Sequence, residues 1–351
     1  MNDIVEPAES PAAPLLRYML SPLGGWLDDP HTQDIAIQEP GVAWIFSSGK
    51  WHREDVPLSL ADLEEIAILA GSLRKQDVGQ LTPLCATELP NGERLQICIP
   101  PTVLQGSVSL TIRKHEQTVA PLARVKERYR LNDWNAWRAT RGRRSLAGPL
   151  AFYDAGNFEG FLTEAVRARL NILLAGSTGS GKTTLSKSIL AAIDHAERLI
   201  TIEDTVELTI LQPNVVRLVY SKEDLSGTAI DAETLLQASL RMRPDRVLLQ
   251  ELRDDAAWTY LTSICSGHPG SCTTIHGDDP ADAVRRLFLL VKASDAGRAL
   301  DREVILGLIA SAIDVIIPLR AENGEFNINS TWFVADAARR GETAANLLSD
   351  A

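Results

Sequence analysis

Ile172-Leu173-Leu174-Ala175 runs directly into Gly176-Ser177-Thr178-Gly179-Ser180-Gly181-Lys182-Thr183. The second stretch satisfies G-x-x-x-x-G-K-[ST] in full, and its surroundings are those the motif needs. Four apolar residues make a buried strand before it. After it, Leu185, Ile189 and Leu190 recur at helical spacing over Thr183–Ile193. The glycines let the backbone curl so that successive N–H groups converge on phosphate oxygens. The helix start adds a partial positive charge. Lys182 is expected at the β- and γ-phosphates and the Thr183 hydroxyl on a magnesium ion, with Gly176 to Thr184 as the binding loop. ATP with Mg2+ is the expected ligand.

A phosphate cradle needs an acid to hold the metal or orient the attacking water, and a group that senses the γ-phosphate. In a parallel sheet these groups belong at the carboxyl ends of neighbouring strands. Three apolar runs downstream end this way. Leu199–Ile202 ends in Glu203-Asp204, Arg246–Leu249 in Gln250-Glu251, and Ser271–Ile275 in His276. Glu251 is expected as magnesium ligand or base, although Gln250 stands before it where an aspartate is usual. Glu203 is expected as a second acid near the metal, with helix capping as the alternative. His276 is expected as the γ-phosphate sensor, or else as a histidine bonded to a turn. His268, in Ser266-Gly267-His268-Pro269-Gly270, belongs either to loop structure or to the site.

Outward from this core the chain divides. Residues 15–120 alternate in short segments. Asp34–Gln38 and Val42–Phe46 flank the turn Glu39-Pro40-Gly41, and Pro90-Asn91-Gly92 precedes a strand at Arg94–Pro100. Leu58–Leu73 is apolar at helical spacing. These signals predict an α+β domain with a small antiparallel sheet. Residues 121–156 read as a basic linker. Within 121–145 eight basic residues face two acidic ones, beside Trp134 and Trp137. A solvated connection, contact with anionic lipid or an acidic partner, and nucleic-acid contact all stay open there. Residues 157–335 alternate helix and strand, which predicts an α/β domain with a mainly parallel sheet covered on both faces. Segments 1–14 and 336–351 read as a disordered N-terminus and a C-terminal tail.

Composition narrows the class further. The net charge of -11 argues against a protein that coats nucleic acid. Four cysteines, none in a Cys-x-x-Cys pair, give no zinc ribbon and no disulfide scaffold, which suits a reducing cytoplasm. The apolar run Val304–Ile317 is too short to span a bilayer and is broken by Asp314. It reads as a buried helix leading into a strand.

Taken in order, these blocks resemble the secretion (traffic) ATPases. The match rests on Gly176–Thr183, Thr201-Ile202-Glu203-Asp204, Arg243–Asp254 and Ser266–His276. Leu89–Arg94 and Val108–Lys114 are similar to that family's N-terminal domain. Gly267-His268-Pro269-Gly270-Ser271 before Thr273-Thr274-Ile275-His276 most resembles the type IV secretion, DNA-transfer (P-type, VirB) branch. The resemblance implies a RecA-like motor domain, a hexameric ring, and work at the cytoplasmic base of an inner-membrane secretion channel with other channel proteins. It also implies basic residues of the N-terminal domain near the phosphates, where Arg113 and Arg94 match, while Arg241 and Arg243 match family arginines at the site or at the subunit interface. A pilus assembly or retraction motor, a nucleotide-dependent docking switch with slow hydrolysis, and a nucleic-acid motor are the alternatives.

Overall fold

The computed structural model describes residues 10–115, 121–122, 146–220, 230–328 and 330–348. Most of the basic stretch 121–145, including Trp134 and Trp137, lies outside the described residues.

The N-terminal half is one six-stranded antiparallel sheet flanked by helices. Its strands are β1 (Thr32–Glu39), β2 (Val42–Ser47), β3 (Lys50–Asp55), β4 (Leu84–Glu88), β5 (Arg94–Cys98) and β6 (Ser109–Arg113). They lie in the order β3-β2-β1-β6-β5-β4. Period-two alternation gives the sheet two different faces. Ile35, Ile37, Ala43, Ile45, Leu95, Ile97, Leu110 and Ile112 pack with helices α1 (Ala12–Met19) and α3 (Leu60–Leu73). Asp34, Trp44, Phe46 and Thr111 belong to the opposite register. Short helix α2 (Gly24–Asp28) leads into β1. Helix α1 begins inside the segment expected to be disordered, because Ala13 and Leu16 are buried against this core.

The C-terminal half carries a second, larger sheet. Its central strand β7 (Ile172–Gly176) pairs in parallel with β11 (Cys272–Ile275) on one side and β12 (Val315–Glu322) on the other. Strand β13 (Glu325–Ile328) turns back antiparallel on β12, which also pairs with β14 (Trp332–Phe333). Strands β8 (Leu199–Glu203), β9 (Val215–Val219) and β10 (Arg246–Leu249) form a parallel ladder in the order β10-β8-β9. A bridge between Glu251 and Thr274 joins this three-stranded leaf to the leaf holding β7. The Leu252 N–H donates to the Thr274 carbonyl at 2.8 Å, and the Thr274 hydroxyl donates to the Gln250 carbonyl at 3.0 Å. The expected parallel sheet is therefore present, with one strand between the loop-bearing strand and the acid-bearing strand.

Helices cover both faces. On one lie α7 (Ala232–Ser239), α8 (Ala256–Cys265), α9 (Pro280–Ala293) and α10 (Arg302–Ala312); on the other lie α5 (Phe158–Arg167) and α6 (Lys182–Ala191). Asn157 caps α5 by accepting from the Gly160 N–H, and Asp279 caps α9 by accepting from Asp282. The run Val304–Ile317 is the expected helix and strand, α10 into β12.

Two expected boundaries shift. Helix α4 (Ala147–Asp154) lies in the segment read as linker, yet it packs on α5, and the Tyr153 hydroxyl donates to the Thr331 carbonyl at 3.0 Å. Tyr153, Phe161 and Phe333 form one ring cluster there. The expected tail contains the end of α11 (Val334–Arg339) and a 3-10 turn at Ala344–Leu348. Ala344 is buried, and Leu347 and Leu348 pack on the core.

Asn171 ties the start of β7 to both neighbours. Its side-chain oxygen accepts from the Gly270 N–H at 2.8 Å, and its amide donates to the Ala312 carbonyl at 2.6 Å. Its backbone N–H donates to Asp314 at 2.7 Å. The two halves of the molecule meet around Arg198, which is 0% exposed. Its guanidinium donates to Gln38 and Asn214, each at 2.6 Å, and to the Met242 carbonyl at 3.1 Å. It also lies over the Trp51 ring, 5.3 Å from the centroid. Burial pulls it down to about 10, so it stays charged at neutral pH. On the outer edge of β9, the Val219 N–H donates to the Thr102 carbonyl.

Candidate nucleotide site

Strand β7 ends at Gly176, and α6 begins at Lys182. Between them the chain turns through Gly179 (φ +78°) and Gly181 (φ +90°), backbone that residues with a Cβ rarely adopt. Ser177, Thr178, Gly179, Thr183 and Thr184 face solvent at the carboxyl edge of the sheet, while Ser180 is buried beneath the loop. Lys182 folds back and donates to the Gly176 and Ser177 carbonyls, both at 2.7 Å. Burial lowers its ammonium from the ordinary lysine value, and the charge of Glu251 opposes that fall. The lysine is thus held inside the loop, within the field of the acid.

Glu251 follows β10 and is hydrogen-bonded through its neighbours to β11, one strand from β7. Its side chain is 16% exposed. One carboxylate oxygen takes a hydrogen bond from Arg253, which also pairs with Asp204 at 3.0 Å. The other oxygen is buried and accepts no hydrogen bond; His276 Nε2 stands 3.3 Å away. His276 is half-exposed at the end of β11. The structure therefore brings Gly176–Thr184, Glu251 and His276 to one edge of one sheet.

Magnesium fits this donor set. An ion held chiefly by triphosphate oxygens needs one or two oxygen ligands from the protein. The solvent-facing Thr183 hydroxyl and the unbonded Glu251 oxygen are oxygen donors of that kind. No group of three or more His, Cys, Asp or Glu residues suited to a metal is found among the described residues.

Glu203 ends β8 at this same edge, but it is 0% exposed and turned into its own loop. One oxygen accepts from the Thr201 hydroxyl at 2.8 Å; the other accepts from the Glu207 and Leu208 N–H groups at 2.9 and 2.8 Å. The expected second acid near the metal is thus a clasp on residues 204–208. Arg113 and Arg243 gather round Asp34, at 3.7 and 3.5 Å. Arg243 also covers the Phe46 ring at 3.9 Å, and Arg94 sits opposite Arg113 in the β5–β6 ladder. Arg243 precedes β10 and His268 precedes β11, so this group occupies the amino edge of the parallel sheet, opposite the phosphate loop. Within one chain these arginines are not beside the phosphate loop. Asp34 is buried, which raises its carboxyl despite Arg113 and Arg243. His268 is lowered chiefly by burial. Arg241 caps α7 by donating to the Gln237 carbonyl.

Two residues at the loop edge carried no motif. Arg253 was legible only as a partner for Glu251. Phe326, on β13, has its ring against Gly181: a Cβ built there would lie 3.0 Å from Phe326 Cδ1.

A parallel sheet with a G-x-x-x-x-G-K-T loop, and an acid two strands away, defines a P-loop nucleoside triphosphatase of the RecA-like class. The Type II/IV secretion system protein family matches residues 152–323. VirB11 of Agrobacterium fabrum is 52% identical over 338 residues, covering 96% of this chain and 98% of that one. The type IV secretion system protein VirB11 of Bartonella quintana is 37% identical, covering 95% and 97%. Among solved structures, the VirB11 ATPase from the Brucella suis type IV secretion system, in complex with sulphate, superposes with a TM-score of 0.87 at 32% identity, covering 94% and 97%. The chain belongs to the VirB11 family of type IV secretion ATPases.

Proposed function

We propose that this chain is a Mg2+-dependent ATP hydrolase that works as a hexameric ring, peripheral on the cytoplasmic face of the inner membrane. There it powers substrate transfer, of DNA or protein, and pilus biogenesis by a type IV secretion system with the other channel proteins. The observation that carries hydrolysis is the buried, unbonded Glu251 oxygen beside His276, facing the loop that holds Lys182. Lys182 exchanges two backbone carbonyls for the β- and γ-phosphates. Thr183 and Glu251 are the residues that would hold magnesium, which supplies neutralisation of the developing phosphate charge. Glu251 orients the attacking water and takes its proton, and His276 contacts the γ-phosphate.

Arg94, Arg113 and Arg243 keep a role in this reading, but in a different place. A ring is built from head-to-tail contacts, so one edge of each subunit faces a different edge of the next. The exposed Arg94 and Arg113, with the half-buried Arg243 beside them, then serve the neighbouring copy's nucleotide from the amino edge, and hydrolysis depends on assembly. The hold of Arg253 on Glu251 favours a second reading, a switch in which hydrolysis stays slow until that pair opens. The basic stretch 121–145 supports contact with anionic lipid more than with nucleic acid, given the acidic net charge.

The test is ATPase rate with sedimentation velocity on wild type, Lys182→Ala and Glu251→Gln. Lys182→Ala is expected to lose ATP binding. Glu251→Gln is expected to keep binding and the ring while turnover falls about 10²–10⁴-fold, the usual contribution of a general base. Unchanged turnover in Glu251→Gln would remove the base from this residue, and a monomer that binds ATP without hydrolysing it would favour the switch.

A further inference from the structure

We propose that Phe326 is the surface on which the base of the bound nucleotide stacks; this rests on the phosphate loop binding a nucleoside triphosphate as read above. The strand order gives the nucleotide a direction. Glu251 and His276 lie on the β10–β11 side of β7, so the γ-phosphate points that way. The α-phosphate, ribose and base leave the loop toward the opposite side, which is built by β12 and β13. Strand β13 is two positions from β7, roughly 10 Å at ordinary strand spacing, about the reach from phosphate loop to base.

What stands there is an aromatic ring with one face covered and the other open. Phe326 touches Gly181 on the inner side, yet the residue is 66% exposed. Ile328, two residues on and therefore on the same face, is also exposed. The hairpin that presents them is stiff. Asn323 (φ +55°) and Gly324 (φ +82°) are the two turn residues between paired Glu322 and Glu325, both in the left-handed region that a tight hairpin requires. The Leu319 carbonyl lies against Gly176, close enough to exclude a side chain at that glycine, so the hairpin is seated on the loop at two points. A rigid, half-open ring at the base end of a phosphate loop offers stacking, which accepts any base and favours the larger purines.

The experiment compares three ligands, ATP, CTP and inorganic tripolyphosphate, by titration calorimetry on wild type, Phe326→Ala, Phe326→Leu and Phe326→Trp. Phe326→Ala and Phe326→Leu are expected to weaken ATP about tenfold, the effect of one lost base–aromatic stack, and to leave tripolyphosphate unchanged. The preference for ATP over CTP should shrink in both variants and persist in Phe326→Trp. Phe326→Leu retains apolar contact with Gly181, so loss in Phe326→Ala alone would make the ring a prop for the loop and overturn the proposal. Equal weakening of ATP and tripolyphosphate would do the same, as would unchanged ATP binding. Failure of wild type to bind tripolyphosphate or ATP at all would instead strike the phosphate-loop reading itself.

Discussion

Glu203 and Glu251 have the same chemistry and similar positions at the ends of neighbouring strands, yet they do different things. What separates them is the backbone that follows. After Glu251 the chain leaves along β11, and one oxygen is left without a donor. After Glu203 the chain curls, and the Glu207 and Leu208 N–H groups turn back onto the carboxylate. A strand-end acid is visible in sequence; the direction in which it points depends on loop dihedrals that no short motif encodes. The difference is testable. Glu203→Ala leaves the buried Leu208 N–H without an acceptor and the Glu207 N–H to water. Urea unfolding should report a loss of about 1–3 kcal/mol, the cost of one buried group left unpaired, while the Mg2+ dependence of ATP binding stays as in wild type. An unchanged unfolding midpoint with weakened Mg2+ affinity would return Glu203 to the metal.

At the scale of elements, the legible parts were those whose code is local. The phosphate loop, the hairpin β1–β2 and the passage from α10 into β12 follow from turn residues and apolar spacing. Strand β13, with sequence Glu325-Phe326-Asn327-Ile328, has every side chain exposed and so no burial pattern to betray it. Asn171 was equally silent, because an asparagine at a strand start looks like a turn residue. It aligns the entries of β11 and β12 on β7, and through them the height of His276 beside the loop. Asn171→Ala orphans the Gly270 N–H and the Ala312 carbonyl. It should lower stability by about 2–4 kcal/mol, on the scale of buried polar groups left unpaired. Denaturant unfolding checks this, and a change below about 0.5 kcal/mol, the usual level for a surface site, would refute the role.

Across the whole molecule, the arginines matched by resemblance could not be assigned an edge from sequence, since that depends on how the halves dock. Arg198 decides the docking. It is the fully buried cation that ties Gln38 and Trp51 to Asn214 and Met242. Nothing in its sequence neighbourhood marks it, because the apolar strand after it dominates the pattern. Arg198→Ala leaves the Gln38 oxygen and the Met242 carbonyl without their shared donor, and each buried acceptor left unpaired costs about 1–3 kcal/mol. Scanning calorimetry should then resolve two unfolding transitions where wild type shows one. A single transition at the wild-type temperature would mean that other contacts hold the halves together.

The join at Glu251–Thr274 has a mechanical meaning. The sheet is stitched like two pages, with Asn171 securing one page at its lower margin and a bridge at the upper margin meeting the other. The hydrogen bonds from the N-terminal half described above all end on the page of β8, β9 and β10. A pull on that half is therefore delivered to the seam between the pages, which Arg246 and Ser271 fasten at its lower margin and Glu251 at its upper. The tilt between the pages then sets where the Glu251 carboxylate stands against the phosphate loop, so the residue proposed as the base would also be the one that feels the load.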